Sequence, residues 1–563
     1  MGLAREYRAF LWFCASFSGA AIIVFPTNFA YHYSPVQAIA IFGGSFPVFG
    51  ALFLLWAITI MVLGVTSEDR TDREHLLLVA MFIAVVVNFW TFRTNMVIPK
   101  EDGTYNLAYI TEFVARGHLT NGLDSFYSLW PAIQIMVVEL VEVVHLNITL
   151  AMALVVSIAA EMTGIFSYKL YKSALGAARE GFLALVLLYT GGVINQSSVF
   201  TPSVLGLMME SLLFWLVIRF LRSERRVFST PVAMLLIFVL GFTNLISLFS
   251  LSSAFLALIV LKGWTKRGSV GIYLLSLMFV MLFIPELTSR TYLGQITESL
   301  LTFLSKGFTS SFASTYTTKV GGPIPVWVSL LTLMWQVAFI VPVLLAPLIV
   351  ISHRRGSESS KLLAKAAIGL FLFTGIFFLA GGGTSLIPLT FIPVFTAPLI
   401  VSIALGSSRV PKRLSYRHFL VAGVLCLLIL PTFLAYNRNQ VIYTYHEDDS
   451  SGFSFLQAAE PSGLSNIYVP YSNQLPYYST IAPITFDPGS IPTDSKLWQT
   501  WDQMLAQFSS THGSIFLFSP RETIPWSTLL DIPASSGNWT QILSALSSNN
   551  LVYGNGDVQI FES

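Results

Sequence analysis

The chain has 563 residues, 54% of them hydrophobic and 11% charged, with a mean hydropathy of +0.70. A soluble domain carries about 25% charged residues, so this composition excludes one and describes an integral membrane protein. The formal net charge of +2 is too small to imply a nucleic-acid partner. Apolar runs of roughly 18 residues, each able to cross a ~30 Å hydrocarbon core as a helix, recur from Phe10 to about Tyr436. Short alternating segments would mark a β-barrel, so helices are expected.

In chain order the candidate spans are residues 8–30, 37–65, 76–98, 128–145, 148–168, 181–195, 203–221, 231–246, 248–262, 269–287, 325–352, 361–380, 386–406 and 416–436. The first run has no small-residue cleavage site after it and is expected to be a retained helix. Arg5 and Arg8, Arg219/Arg222/Arg225/Arg226, Lys262/Lys266/Arg267, His353/Arg354/Arg355 and Arg409/Lys412/Arg413/Arg417 read as cytoplasmic. A cytoplasmic start and an external end require an odd number of crossings, so about 13 transmembrane helices are expected. Keeping Lys169, Lys172 and Arg179 inside makes 128–145 the misfit, a re-entrant or interfacial helix; a single broken span over 231–262 is the alternative. Cys14 and Cys426 both lie inside apolar runs and read as packing residues, with no disulfide or metal framework.

Three regions follow. Residues 1–75 hold two helices and a cytoplasmic loop, 76–436 form the transmembrane core with an external loop at 99–127, and 437–563 are polar and rich in Ser, Pro and Asn. The last region contains short β-type runs ("NIYVPY", "SIFLFS"), a helix ("WTQILSALSS") and a hairpin pattern in "LVYGNGDVQIFES". It reads as a small α/β domain outside the membrane.

The longest polar interruption before it is "VIPKEDGTYNLAYITEFVARGHLTNGLDSFYSLWP". Glu101 and Asp102 stand side by side, and Tyr105, Tyr109 and Phe113 follow at helical spacing until Gly117. The pattern predicts an amphipathic helix along the membrane surface that holds the acids over any cavity between helices. This order of apolar helix, acidic pair, surface helix and aromatic-Pro entry resembles the first external loop of the GT-C glycosyltransferases. The stretches at 195–221 and 241–261 and the closing hairpin are similar to archaeal members with an external C-terminal domain.

The resemblance implies a GT-C-like fold and sugar transfer from a polyprenyl-phosphate donor to a lipid, glycan or protein acceptor on the outer face. It places the base that deprotonates the acceptor at Asp102, with Glu101 as second candidate. Substrate-binding candidates are Tyr105, Arg116, His118, Glu286, Arg290 and Lys319, with Arg93 and Lys306 also able to meet a phosphate. Single basic residues at a membrane face also snorkel to headgroups, which is the competing reading. Asn244 stands where a His is expected, and neither a "WWDYG" motif nor a second external acidic pair occurs, which argues against an oligosaccharyltransferase. No metal site is assigned. "HEDDSS" at 446–451 is the one later acid cluster, with a divalent cation as the alternative to a solvated linker. Two rivals remain. A transporter or flippase would use Glu139, Glu142, Glu161 and Glu210 inside the spans, and a non-catalytic cell-surface assembly protein would work through the C-terminal domain.

Overall fold

The computed structural model describes residues 5–24, 46–67, 72–88, 100–118, 131–190, 200–222, 229–241, 243, 245–262, 358–379, 391–406, 414–440, 467–468, 484–486, 508–510, 515–518, 544, 546–547, 549–554 and 559–562. Candidate spans 269–287 and 325–352, and the "HEDDSS" cluster, lie outside the described residues.

The apolar runs fold as helices: α1 Arg5–Val24, α2 Phe46–Thr66, α3 Asp72–Asn88, α4 Lys100–Arg116, α5 Ala132–Val144, α6 Ile148–Leu175, α7 Ala178–Leu188, α8 Pro202–Arg222, α9 Ser229–Gly241, α10 Leu245–Lys262, α11 Glu358–Leu379, α12 Ile392–Ala404 and α13 Tyr416–Gln440. Among the described residues four helices are long and apolar enough to cross a membrane, within α1, α2, α6 and α8. Their exposed faces carry large apolar side chains, such as Phe10, Phe13 and Phe17 on α1 and Ile158 and Met162 on α6, as a lipid-facing surface requires.

Local chemistry sets the ends. Asn147 caps α6 by accepting a hydrogen bond from the Thr149 amide at 2.8 Å, so this sequon residue is occupied as a helix cap. Gly176 closes the helix at φ +79°, its amide bonded to the Lys172 carbonyl at 2.8 Å.

The main core is built from α1, α2, α3, the later part of α6 and α7 to α13. Trp56 of α2 stacks on Phe82 of α3 at 5.7 Å, and Phe82 meets the edges of Phe182 and Tyr189. Phe214 of α8 contacts both Phe255 of α10 and Phe395 of α12. Cys14 and Cys426 are free, and Cys426 packs on this core with its Sγ 3.5 Å from the Ala57 carbonyl oxygen.

Polar contacts gather several helix ends on one side of the bundle. Arg8 of α1 donates through Nε to Glu74 of α3 at 2.7 Å and through Nη2 to the Ser67 hydroxyl at 2.9 Å. Arg179 at the start of α7 donates to the Ser67 carbonyl at 2.8 Å. Ser360 at the start of α11 reaches the Ala174 carbonyl at the end of α6, and His418 at the start of α13 lies 3.9 Å from Glu180 of α7. Ser67 and Glu74, which belong to the mixed-charge stretch whose side is ambiguous in sequence, therefore sit with Arg8 and Arg179. This is the basic end.

The position of 128–145 follows. Helix α6 ends at the basic end, so its start at Ile148 lies at the opposite one, and α5 joins it through only residues 145–147. His145 makes that reversal in the left-handed region at φ 57°. Ile133 and Val137 of α5 pack with residues Ala151 to Ala159, the first half of α6. With 13 residues α5 is about 20 Å long, too short for a ~30 Å crossing. It both begins and ends in the half opposite the basic end. The segment 229–262 forms two helices, α9 and α10, broken around Thr243.

The C-terminal strands β1 Ile467–Tyr468, β2 Ile484–Phe486, β3 Ile515–Phe518, β4 Asn550–Gly554 and β5 Gln559–Glu562 form one sheet in the order β2-β1-β3-β5-β4. The first three strands are parallel to one another; β5 pairs antiparallel with both β3 and β4. The expected strands at 466–471 and 514–519 and the terminal hairpin are all present. The three-residue β2 is an addition, flanked by Pro483 and Pro488 and too short to show alternation.

Candidate functional site

Away from the basic end lies a second, smaller apolar cluster. It joins Leu107 and Ile110 of α4, Ile133 and Val137 of α5, the first half of α6, and Phe200, Val204 and Leu205 at the start of α8. Helix α4 is thus amphipathic as expected, but its apolar face is covered by protein: Ile110 is fully buried and Tyr109 nearly so. Lipid is not what that face meets, because α5 and α6 occupy it. This corrects the expectation of a helix laid apolar face down on the membrane.

Glu101 and Asp102 also differ from their expected setting. They are the second and third residues of α4 and belong to its first turn, not to a loop before it. Carboxylates there complement the positive end of the helix dipole, which accounts for a helix that starts ahead of Gly103. The side chains of Glu101, Asp102 and Tyr105 lie outside the described ones. The structure therefore places these three by their backbone.

Arg116 and His118 sit at the other end of the same helix. Arg116 pairs with Glu112 at 3.0 Å and is exposed, as is His118 beyond the closing Gly117 at φ +70°. Fourteen residues separate Asp102 from Arg116, a rise of about 21 Å. The fold does not bring Arg116 and His118 to the acidic pair. Glu286, Arg290 and Lys319, with Arg93, Lys306 and Asn244, lie outside the described residues.

Two polar side chains that sequence reading passed over stand inside the cluster. Asn106, fully buried, accepts at Oδ1 a hydrogen bond from Nε2 of Gln134, itself 1% exposed, at 2.5 Å. The bond ties α4 to α5 across 28 residues of sequence. Its only trace in the sequence is a polar residue on each of two apolar faces. Thr201 and Ser203 at the entry to α8 are buried as well.

The acids that favoured a transporter are dispersed. Glu139 and Glu142 are exposed on α5, and Glu161 is half-buried on α6. Glu210 is fully buried on α8, where the neighbouring Ser211 hydroxyl meets Ser167 of α6 at 3.0 Å. Six residues, about 9 Å of helix rise, separate Glu161 from Ser167. Among the described residues no group of three or more His, Cys, Asp or Glu could hold a metal ion.

No protein-family model matches the chain, and no curated protein matches it. Among solved structures it is similar to ArnT from Cupriavidus metallidurans bound to undecaprenyl phosphate, at 12% identity and a TM-score of 0.49 over 87% of this chain and 98% of that one. It is also similar to the archaeal oligosaccharyltransferase AglB from Archaeoglobus fulgidus in complex with an inhibitory peptide and a dolichol-phosphate, at 10% identity and a TM-score of 0.49, covering 87% of this chain and 74% of that one. The Archaeoglobus fulgidus oligosaccharyltransferase tethered to an acceptor peptide with an NVT sequon gives 10% identity and a TM-score of 0.49, covering 88% and 75%. At that level no residue of this chain acquires a role from its counterparts.

Proposed function

We propose that the protein is a multi-pass membrane glycosyltransferase of GT-C type, taking a sugar from a polyprenyl-phosphate donor to an acceptor on the outer face. The observation that carries this reading is the placement of α4. A helix whose first turn bears Glu101 and Asp102 is packed against α5 and α6 in the half of the bundle opposite the basic end. By the positive-inside rule the basic end is cytoplasmic. The acids then face the outer side, where the headgroup of a lipid donor in the outer leaflet can reach them. The sheet formed from 467–562 belongs on that same side in this topology.

In the reaction the Asp102 carboxylate takes the proton of the acceptor hydroxyl as the acceptor oxygen attacks the anomeric carbon of the sugar. The bond between that carbon and the phosphate oxygen breaks, and polyprenyl phosphate leaves with the electron pair. Glu101 is the alternate base. Arg290 and Lys319 supply positive charge for the departing phosphate, and Glu286 and Tyr105 are expected to contact the sugar. Arg116 and His118, some 21 Å along α4 from Asp102, suit the headgroup region or the acceptor more than the reacting phosphate.

The test is transfer of radiolabelled sugar from a panel of polyprenyl-phosphate sugars to membrane lipids and proteins, with the purified chain in liposomes beside its Asp102→Asn and Glu101→Gln variants. Loss of at least about a hundredfold in Asp102→Asn with binding of donor retained is the expected result. Full activity in both variants would move the base elsewhere. No transfer from any donor, with Glu210→Gln abolishing function in cells, would favour a transporter.

A further inference from the structure

We infer that Asn106 and Gln134 are positioning residues for this transfer: their hydrogen bond fixes the first turn of α4, and with it the acidic pair, against the start of α5. The inference rests on the glycosyltransferase reading for its chemistry and on the bond itself for its geometry. Asp102 precedes Asn106 by four residues, one helical turn and about 6 Å of rise. Asn106 is therefore the first described side chain that anchors α4 after the acids.

The choice of residue types is informative. Leu107, Ile110, Ile133 and Val137 already supply apolar contact around the pair, and an apolar pair in place of Asn106 and Gln134 would hold the helices together without the cost of burying two amides. What an amide bond adds is direction. Apolar ridges slide and rotate against one another at little cost, whereas a buried 2.5 Å hydrogen bond fails if α4 slips or turns. A carboxylate that must meet an acceptor hydroxyl within hydrogen-bond reach needs that register, and a misplacement of about 1 Å can lower the rate about a hundredfold.

The experiment uses the full chain in liposomes with Cys14→Ser and Cys426→Ser as background. Spin labels at Thr104→Cys on α4 and Val143→Cys on α5 report the distance distribution between the two helices, alongside transfer kinetics and thermal midpoints. Asn106→Leu and Gln134→Leu, each alone, are expected to broaden the distribution. They should lower kcat about a hundredfold with the donor KM changed less than about threefold. The exchanged pair Asn106→Gln with Gln134→Asn restores a bond of the same overall length and should return kcat to within about tenfold of the parent. The apolar pair Asn106→Leu with Gln134→Leu should recover the thermal midpoint but not kcat. Unbroadened distributions in the single variants, or a kcat that follows the thermal midpoint through the whole series, would overturn the assignment in favour of plain packing. If the parent transfers no sugar from any donor while the single variants still broaden, the glycosyltransferase reading fails and the pair's catalytic purpose with it, the helix clamp alone standing.

Discussion

Arg8 and Glu74, 66 residues apart, are joined by a hydrogen bond from the guanidinium Nε to the carboxylate at 2.7 Å, so the first helix is fastened to the start of the third. Burial by itself would raise the Glu74 carboxyl. The hydrogen bonds from Arg8 and Ser67, the Arg8 charge and the contact with Trp12 outweigh burial and hold it below the usual glutamate range.

A pH dependence follows from that shift. Because the folded-state value is depressed, the pair's contribution is fully present above the unfolded glutamate value of about 4.3 and is lost as pH falls through the lower folded value. Glu74→Gln is expected to lower stability at neutral pH by about 1–2 kcal/mol. The gap between parent and variant should stay constant above pH ~5 and narrow toward acid. Thermal midpoints in detergent across pH 3 to 8 measure it; a gap that widens in acid contradicts the assignment.

Helices α10 and α11 approach so closely that a Cβ on Gly369 would stand 2.3 Å from the Ser253 carbonyl oxygen, with Ala257 at 2.8 Å. Gly369→Ala should therefore cost about 1–3 kcal/mol through forced separation of the two helices. Gly423 in α13 has nothing within 4 Å of a built Cβ. Gly423→Ala is expected to be neutral or to stabilise by up to about 1 kcal/mol. Parallel melting of the two variants distinguishes helix approach from simple propensity, since equal effects would exclude the first.

The length of α4 separates the basic candidates into two groups. Arg116→Ala is expected to leave kcat/KM within about threefold, because its exposed i,i+4 pair with Glu112 lies far from the acids and contributes little; His118→Ala, two residues further from the acids, is expected to do the same. Arg290→Ala and Lys319→Ala should raise the donor KM about tenfold or more by removing a charge-assisted contact. Initial rates over a donor concentration series decide it, and a larger loss in Arg116→Ala than in Arg290→Ala would reverse the grouping.

In the C-terminal sheet β5 lies between β3 and β4 and, among the described residues, is the one antiparallel partner of β3. Removing 550–563 should expose an edge of β3 and leave only the very short parallel strands, which are poor at holding a sheet alone. Limited proteolysis of this truncation is expected to clip 467–549 much faster than in the parent. Equal resistance would mean the sheet does not depend on its hairpin.

Apolar length located the helices well, since a run of Leu, Ile, Val and Phe long enough for a bilayer has few other uses. The misfit stayed open between 128–145 and a broken span over 231–262, because the charge rule alone does not choose between them; α5 is short and 229–262 is broken around Thr243. The start of α4 could not be derived, because Gly103 weakens helix propensity at a point where the first-turn carboxylates favour a helix. Nor could the role of Asn106 or Gln134, since each is an ordinary polar residue until the crossing of α4 and α5 brings them together. The grouping of Arg116 with Asp102 in one external segment dissolved for the opposite reason: closeness in sequence becomes distance along a helix.

The short helix α5 carries a further consequence, in terms of hydration. Its N-terminal residue Pro131 makes no side-chain cap hydrogen bond, and the first amides of any helix lack partners within it. Hydrocarbon cannot satisfy such groups. A helix that begins partway into the membrane therefore demands protein or water at that depth. The start of α5 therefore cannot face bare hydrocarbon, whichever of the two supplies the partners.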